Sequence, residues 1–151
     1  MKVLMVCLGN ICRSPLAHGI LEHLVKKHQL NWQVDSAGTN GYHIGEAPHK
    51  LSIKVAEAND INISMQRCRK FTQNDIHIFD KIYVMDAQNY QAVKKITGQD
   101  FNPEKVEFIL NEIYPNQNLE VPDPWYGTID GYYKVYDMLF QACEAIVKKY
   151  H

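Results

Sequence analysis

The apolar positions at the start of the chain run without a break. Lys2 is followed by Val3, Leu4, Met5 and Val6, a pattern suited to a strand over residues 2 to 6 that is buried on both faces. Beyond Cys7 the period changes. Leu16, Ile20, Leu21, Leu24 and Val25 fall at helical spacing, and Ser14-Pro15 ahead of them offers a capping hydroxyl and a proline for the first helical position, so the pattern predicts a helix from about 15 to 28. A strand from about 32 to 36 then leads into the turn-rich stretch Ala37-Gly38-Thr39-Asn40-Gly41, followed by a helix from about 48 to 59. Residues 79 to 85 read as strand, 86 to 96 as helix and 105 to 109 as a shorter strand. From Gly131 onward Tyr132, Tyr136, Leu139, Cys143, Ile146 and Tyr150 recur at steps of three and four, predicting a long final helix with Asp130 as its N-cap. Strand and helix alternate throughout. That order implies an α/β fold with a parallel sheet, helices on both of its faces, and a ligand crevice beyond the carboxyl ends of the strands, where Cys7 sits.

Composition narrows the classes. No repeat, Pro-rich linker or compositional shift divides the 151 residues, which are expected to form a single domain over 1 to 151. With 46% hydrophobic and 22% charged residues the chain is globular in type, which excludes disordered and low-complexity classes. A net charge of −1 gives no general attraction to nucleic acid or to an anionic membrane, so anion binding must come from a local site. No apolar run approaches the roughly 18 residues of a membrane span, so no membrane insertion is expected. The apolar residues before Cys7 are too few for a secretory signal, and a cytoplasmic, reducing compartment is expected, with the cysteines as free thiols. His18, His23 and His28 stand five apart, which splays them around a helix and argues against a metal site. Arg67, Arg69 and Lys70 read as solvated or ion-paired charges, with a structural role open for Arg69.

The informative segment is Cys7-Leu8-Gly9-Asn10-Ile11-Cys12-Arg13-Ser14, between the first strand and the first helix. Five residues between a Cys and an Arg can curl so that successive backbone N–H groups converge, while the new helix directs its positive end to the same point. A tetrahedral oxyanion fits such a cradle. Gly9 permits close backbone approach, Asn10 tolerates left-handed geometry, and Arg13 offers a planar fork for two phosphate oxygens. The same surroundings favour a thiolate at Cys7, to which the Ser14 hydroxyl can donate. The bland alternative is Cys7 as a small buried residue ending a strand. An ATP or GTP loop of the G-x-x-x-x-G-K-[ST] type is absent.

With these residues in place, the sequence resembles the low-molecular-weight protein tyrosine phosphatases over nearly its whole length. The resemblance rests on VCLGNICRSP from Val6 to Pro15, DSAGT from Asp35 to Thr39, the pair Met85-Asp86, and DPWYG from Asp123 to Gly127. It implies a three-layer α/β sandwich with a four-stranded parallel sheet in the order 2-1-3-4 and no cofactor or metal. It also implies Cys7 as nucleophile, residues Leu8 to Ser14 as phosphate binders with Arg13 foremost, and Asp123 as general acid and then base. Tyr42, Trp125 and Tyr126 become the aromatic wall for the substrate ring, and Asn10, Ser14, Ser36 and Gln66 the support of the loop. The implied partner is a tyrosine-phosphorylated protein. The sequence leaves the oligomeric state open, with a monomer as the expectation. Cys7 and Cys12, on one curled segment, are a candidate redox pair in which a sulfenic acid on Cys7 is trapped as a disulfide.

Departures from the family pattern are His18 and Trp125, where Glu and Tyr are common, and Gln66, which aligns with a His. His18 is expected to alter only surface charge. Ile11 stands where the arginine-phosphatase branch resembles Thr, whose hydroxyl helps to orient a guanidino group. Two other functions use the same segment. An arsenate reductase of this fold would need a further cysteine pair, for which only Cys68 and Cys143 remain. A phosphate- or phosphopeptide-binding module would need neither a thiolate nor an acid.

Overall fold

The computed structural model describes residues 1 to 151. Four parallel strands, β1 (Lys2–Cys7), β2 (Gln33–Gly38), β3 (Lys81–Val84) and β4 (Val106–Phe108), form one sheet in the order β2-β1-β3-β4. This is the sheet and strand order the sequence leads one to expect. Side chains of β1 alternate across it. Val3, Met5 and Cys7 pack with helices α1 (Arg13–Lys27), α2 (Lys50–Glu57) and α5 (Ile129–Tyr150), while Leu4 and Val6 join the cluster on the other face, with Ile76 of α3 (Asp75–Ile78) and Val93 of α4 (Ala87–Thr97). Both faces of β1 are thus buried, which is why its apolar run has no polar alternation. No helix is long and apolar enough to cross a membrane.

Two helix starts differ from the sequence reading. Helix α1 begins at Arg13 with Cys12 at its N-cap, so Ser14 lies inside the first turn and its hydroxyl serves other partners. Proline is tolerated in a first turn, and Pro15 therefore does not mark the boundary. Helix α5 begins at Ile129 after Thr128, which leaves Asp130 in the first turn, where its charge still complements the helix dipole. The short helix α3 and the 3-10 turns at Gly98–Asp100, Ile109–Glu112 and Pro124–Tyr126 carry too few residues to leave a periodic signal.

The sheet places its carboxyl edge under several connections at once. Cys7 of β1 is paired with Gly38 of β2, Met85 follows β3, and Val121 donates its N–H to the Met85 carbonyl at 2.8 Å. The segment leading to Asp123 is therefore tied to the edge from which the Cys7 loop rises.

Candidate active site

The loop between β1 and α1 is held by its carbonyls. Those of Cys7 and Leu8 accept from the N–H groups of Thr39 and Asn40 at 2.9 and 3.0 Å, and that of Ile11 from His49 N–H at 2.7 Å. The Gly9 carbonyl accepts from the Cys68 thiol at 3.1 Å and the Cys12 carbonyl from the Ser52 hydroxyl at 3.2 Å. In a trans peptide plane the carbonyl and the next N–H point in opposite directions. Every carbonyl tied to the surroundings thus turns the following amide to the other side. The N–H of Asn10 meets Cys7 Sγ at 3.3 Å, and those of Leu8, Gly9, Ile11 and Cys12 have no hydrogen-bond partner in the protein. With the first turn of α1 at its end, the loop is a concentrated set of unspent donors around one sulfur.

Asn10 has a φ of 56°, left-handed backbone that costs free energy unless side-chain bonds hold it. It makes three: Nδ2 donates to Ser14 Oγ at 2.8 Å and to Ser36 Oγ at 3.0 Å, and Oδ1 accepts the Arg69 N–H at 3.0 Å. Ser14 Oγ in turn stands 3.0 Å from Cys7 Sγ. Gln66 does not join this group; its Nε2 donates to the Pro15 carbonyl of α1 at 3.1 Å. His18 does join it, contrary to the expectation of a surface charge. Its side chain is only 12% exposed, Nδ1 lies 3.1 Å from Ser36 Oγ, and Nε2 lies 3.4 Å from the Glu22 carboxylate. The helical pattern placed position 18 beside apolar residues but could not show that β2 presents a hydroxyl to it.

Arg13 is buried, and its Nη1 donates to Asp86 Oδ2 at 2.7 Å and to the Val121 carbonyl at 3.0 Å. Both protons of Nη1 are spent, so Nε–H and Nη2–H remain, with Nη2 3.7 Å from Asp123 Oδ2. Burial works against the guanidinium charge, but Cys7, Asp86 and Asp123 together outweigh it and hold its pKa above the ordinary value. From sequence, Asp86 has only its membership of the Met85-Asp86 pair. Its position is the N-cap of α4, where Oδ1 accepts the Asn89 N–H at 2.8 Å while Oδ2 holds Arg13. An acid at the strand-to-helix junction beside the Cys7 strand was the available signal. Arg69 spans Asp35 at 3.0 Å and both oxygens of Asp75, tying the DSAGT strand to the segment that braces Asn10.

A cavity of about 320 Å³ opens over the loop, lined by Cys7, Leu8, Gly9, Ile11, Cys12 and Arg13 below and by Asn40, Tyr42, His43, Asp123, Trp125 and Tyr126 around the mouth. Asn40 and His43 are additions to the sequence reading, both brought in by the loop after β2. Asp123 accepts the Trp125 N–H at 3.1 Å through Oδ1, so the acid caps the 3-10 turn that carries two aromatic residues of the wall. Cys12 is buried with its Sγ 3.6 Å from the Tyr132 hydroxyl. Burial pushes its thiol pKa up to about 12, the Tyr132 bond offsetting part of this and the charges of Cys7 and Asp123 adding to it.

Comparisons with known proteins place the whole chain in one family. The family model described as low molecular weight phosphotyrosine protein phosphatase matches residues 2–151. The human protein of that name is 34% identical over 152 residues, covering 99% of this chain and 96% of its own. A protein tyrosine phosphatase from Entamoeba histolytica superposes with a TM-score of 0.91 at 34% identity, covering 99% of this chain and 96% of that one. An arginine phosphatase from Drosophila superposes with a TM-score of 0.90 at 29% identity, covering 99% and 98%. Fold and relatives together make the protein a phosphatase, a hydrolase of the α/β class. More narrowly, the chain belongs to the low molecular weight phosphotyrosine protein phosphatase family.

Gly38 tests how closely the loop is fitted. A Cβ there would lie 3.0 Å from Asn10 N, Gly9 C and Leu8 O, all backbone atoms that cannot rotate away. Gly38→Ala should therefore displace the loop itself. Turnover is expected to fall by roughly 10- to 100-fold, as sub-ångström misplacement of reacting groups costs, against a stability loss of about 1–3 kcal/mol. Steady-state kinetics and urea unfolding on the same preparation check both.

Proposed function

We propose that the protein hydrolyses the phosphomonoester of protein phosphotyrosine in two displacements on Cys7. In the first, the Cys7 thiolate attacks phosphorus, the P–O bond to the ring breaks, and Asp123 gives its proton to the departing phenolate. In the second, water attacks the phosphocysteine, Asp123 takes the proton, and the P–S bond breaks to return the thiolate and phosphate. The observation that carries this reading is the set of unspent amides around Cys7 Sγ, facing Arg13 and closed over by Asp123. Those amides and the free Nε/Nη2 edge of Arg13 match the oxygens of a phosphoryl group in flight, where stabilisation counts most. Phenolate, with a pKa near ~10, is a leaving group that benefits from a proton.

The aromatic mouth supports an aryl ester. Tyr42 and Tyr126 stand largely in solvent and Trp125 is half-exposed, so a ring entering between them buries apolar surface on every side. A phosphoserine side chain, shorter than phosphotyrosine by a ring, brings no aromatic surface to that mouth and reaches less far toward the loop. The likeness to an arginine phosphatase makes phosphoarginine the main competing substrate. Ile11, which lines the cavity, offers a guanidino group no hydroxyl, and this favours tyrosine.

A side-by-side assay with phosphotyrosine, phosphoserine, phosphoarginine and arsenate decides among these readings: phosphotyrosine is expected to have the highest kcat/KM, and equal efficiency on phosphoarginine overturns the assignment. Cys7→Ser should lose turnover while still binding inorganic phosphate, because the amides and Arg13 remain. Asp123→Ala should slow phenyl phosphate by about 10²–10⁴-fold and an activated aryl ester far less, since only a poor leaving group needs the proton. A uniform loss across a leaving-group series would remove Asp123 from proton transfer.

The same reading makes Cys7 the site of oxidation by peroxide, to a sulfenic acid that the Cys12 thiolate attacks, forming the disulfide and releasing hydroxide. Only the ionised thiol attacks, and the buried Cys12 thiol is pushed up to about 12. Below that value the thiolate fraction rises tenfold per pH unit. Trapping should therefore be slow near neutrality and accelerate by about tenfold per unit as pH rises, read by mass spectrometry of the Cys7–Cys12 link and by recovery in dithiothreitol. Cys12→Ser that recovers as fully as the wild type would show that Cys12 is not the resolving thiol.

A further inference from the structure

The proton directions in the network beneath the Cys7 loop can be assigned from the donors and acceptors that meet there. The Arg69 N–H can only donate, so the atom of Asn10 that receives it at 3.0 Å is the amide oxygen, and Nδ2 must face the two serines. Each serine oxygen accepts one of its hydrogens, leaving each hydroxyl a single proton to place. For Ser14 the partner is Cys7 Sγ at 3.0 Å. For Ser36, which is buried, the partner is His18 Nδ1 at 3.1 Å, its one remaining neighbour within reach. An imidazole that accepts at Nδ1 carries its own proton on Nε2, and the Glu22 carboxylate lies 3.4 Å from that nitrogen.

We propose that His18 is a positioning residue for the nucleophile, acting through Ser36, Asn10 and Ser14. It takes the Ser36 proton and so leaves the Ser36 lone pairs to Asn10. Held on that side, the Asn10 amide keeps its left-handed backbone and its second hydrogen on Ser14, which in turn aims the Ser14 proton at the sulfur. Without an acceptor at position 18, the buried Ser36 proton has nowhere to go except toward the Asn10 amide, where it competes with the hydrogen that Asn10 donates. The Glu22 carboxylate, 3.4 Å from Nε2, favours a proton on that nitrogen by its charge. The inference rests on Cys7 being the nucleophile of the proposed reaction, since the network has no other reacting atom at its end.

Three substitutions separate the acceptor from mere bulk. Asparagine sets an oxygen where Nδ1 stands, glutamine reaches the place of Nε2 instead, and phenylalanine fills the volume with no acceptor at all. His18→Phe is expected to lower kcat on an aryl phosphate by roughly three- to tenfold, the scale of one buried hydrogen bond. The inhibition constant for inorganic phosphate should stay within twofold, because the loop amides and Arg13 that bind it are intact. His18→Asn should keep kcat within twofold of the wild type, and His18→Gln should resemble His18→Phe. Ser36→Ala supplies a second route: if His18 acts through that hydroxyl, adding His18→Phe to Ser36→Ala costs nothing more. Wild-type kcat in His18→Phe, no rescue by asparagine, or additive losses in the double variant would each overturn the inference while leaving the functional reading intact. A wild-type protein that turns over no aryl phosphate overturns both.

Discussion

Everything at the carboxyl edge of the sheet depends on the planarity of a few peptide bonds. Because a trans peptide sends its carbonyl and its following N–H in opposite directions, tying the loop's carbonyls to their neighbours is the same act as turning its donors inward. The neighbours come from distant parts of the chain: Thr39 and Asn40 after β2, His49 ahead of α2, Ser52 within it, and Cys68 from the connection before α3. The oxyanion site proposed for the loop is thus a consequence of tertiary structure imposed on a short segment. Unspent donors of this kind are costly in a folded protein without a ligand, and the left-handed Asn10 adds to that cost. The parallel sheet, buried on both faces, supplies the stability against which such a loop can be held.

The charges around the sulfur follow from the same arrangement. Arg13 is fixed by Asp86 and the Val121 carbonyl through one nitrogen, which orients the guanidinium and leaves its other edge available. Asp86 in turn is held as the cap of α4, and Val121 as a strap on Met85. A buried arginine tolerates its desolvation because its partners sit on rigid element ends. The Cys68 thiol, which braces the Gly9 carbonyl, is pushed up to about 11 by burial first and by the charges of Cys7 and Glu46 next. A neutral S–H at that point is the form able to donate, so the bond to the loop and the raised pKa are two views of one state.

The sequence made the outer frame legible and, through the family resemblance, the Asn10, Ser14 and Ser36 bracing too, but left the roles of His18 and Asp86 unseen, for physical reasons. Strand β1, the long helix α5 and the alternation of strand with helix depend on runs of apolar residues, and burial on both sheet faces makes those runs conspicuous. The segment Cys7 to Ser14 was conspicuous because few functions need a thiol and a guanidinium at that separation. Helix starts were harder. Ser14 and Asp130 have the chemistry of caps, yet the one spends its hydroxyl on Cys7 and Asn10 and the other lies inside its helix. His18, Asp86 and Gln66 take their meaning from partners on other elements, 18 and 73 positions away for the first two and 51 for the third. No local pattern encodes such distances, so the partner that gives a polar residue its role stays out of sight.

A gradient of constraint runs from the sulfur to the mouth. At the floor, Cys12 meets the Tyr132 hydroxyl, and the Tyr132 ring stacks on His49 with centroids 5.3 Å apart. His49 is itself fixed three ways: its N–H holds the Ile11 carbonyl, its Nδ1 accepts the Leu51 N–H at 3.1 Å, and its ring meets the edge of Trp125 at 5.3 Å. Burial, and then the charge of Lys50, lower the pKa of His49, which favours the neutral ring that capping requires. The Trp125 ring also lies beside that of His43, with centroids 5.8 Å apart, so the turn that Asp123 caps is anchored through an aromatic ladder to the loop it overhangs. Tyr42 and Tyr126, by contrast, are 84% and 95% exposed. The chemistry calls for this ordering. In the proposed reaction, displacement at phosphorus tolerates little error in the positions of sulfur, donors and acid, whereas a ring arriving on the surface of another protein needs walls that accept a range of approaches.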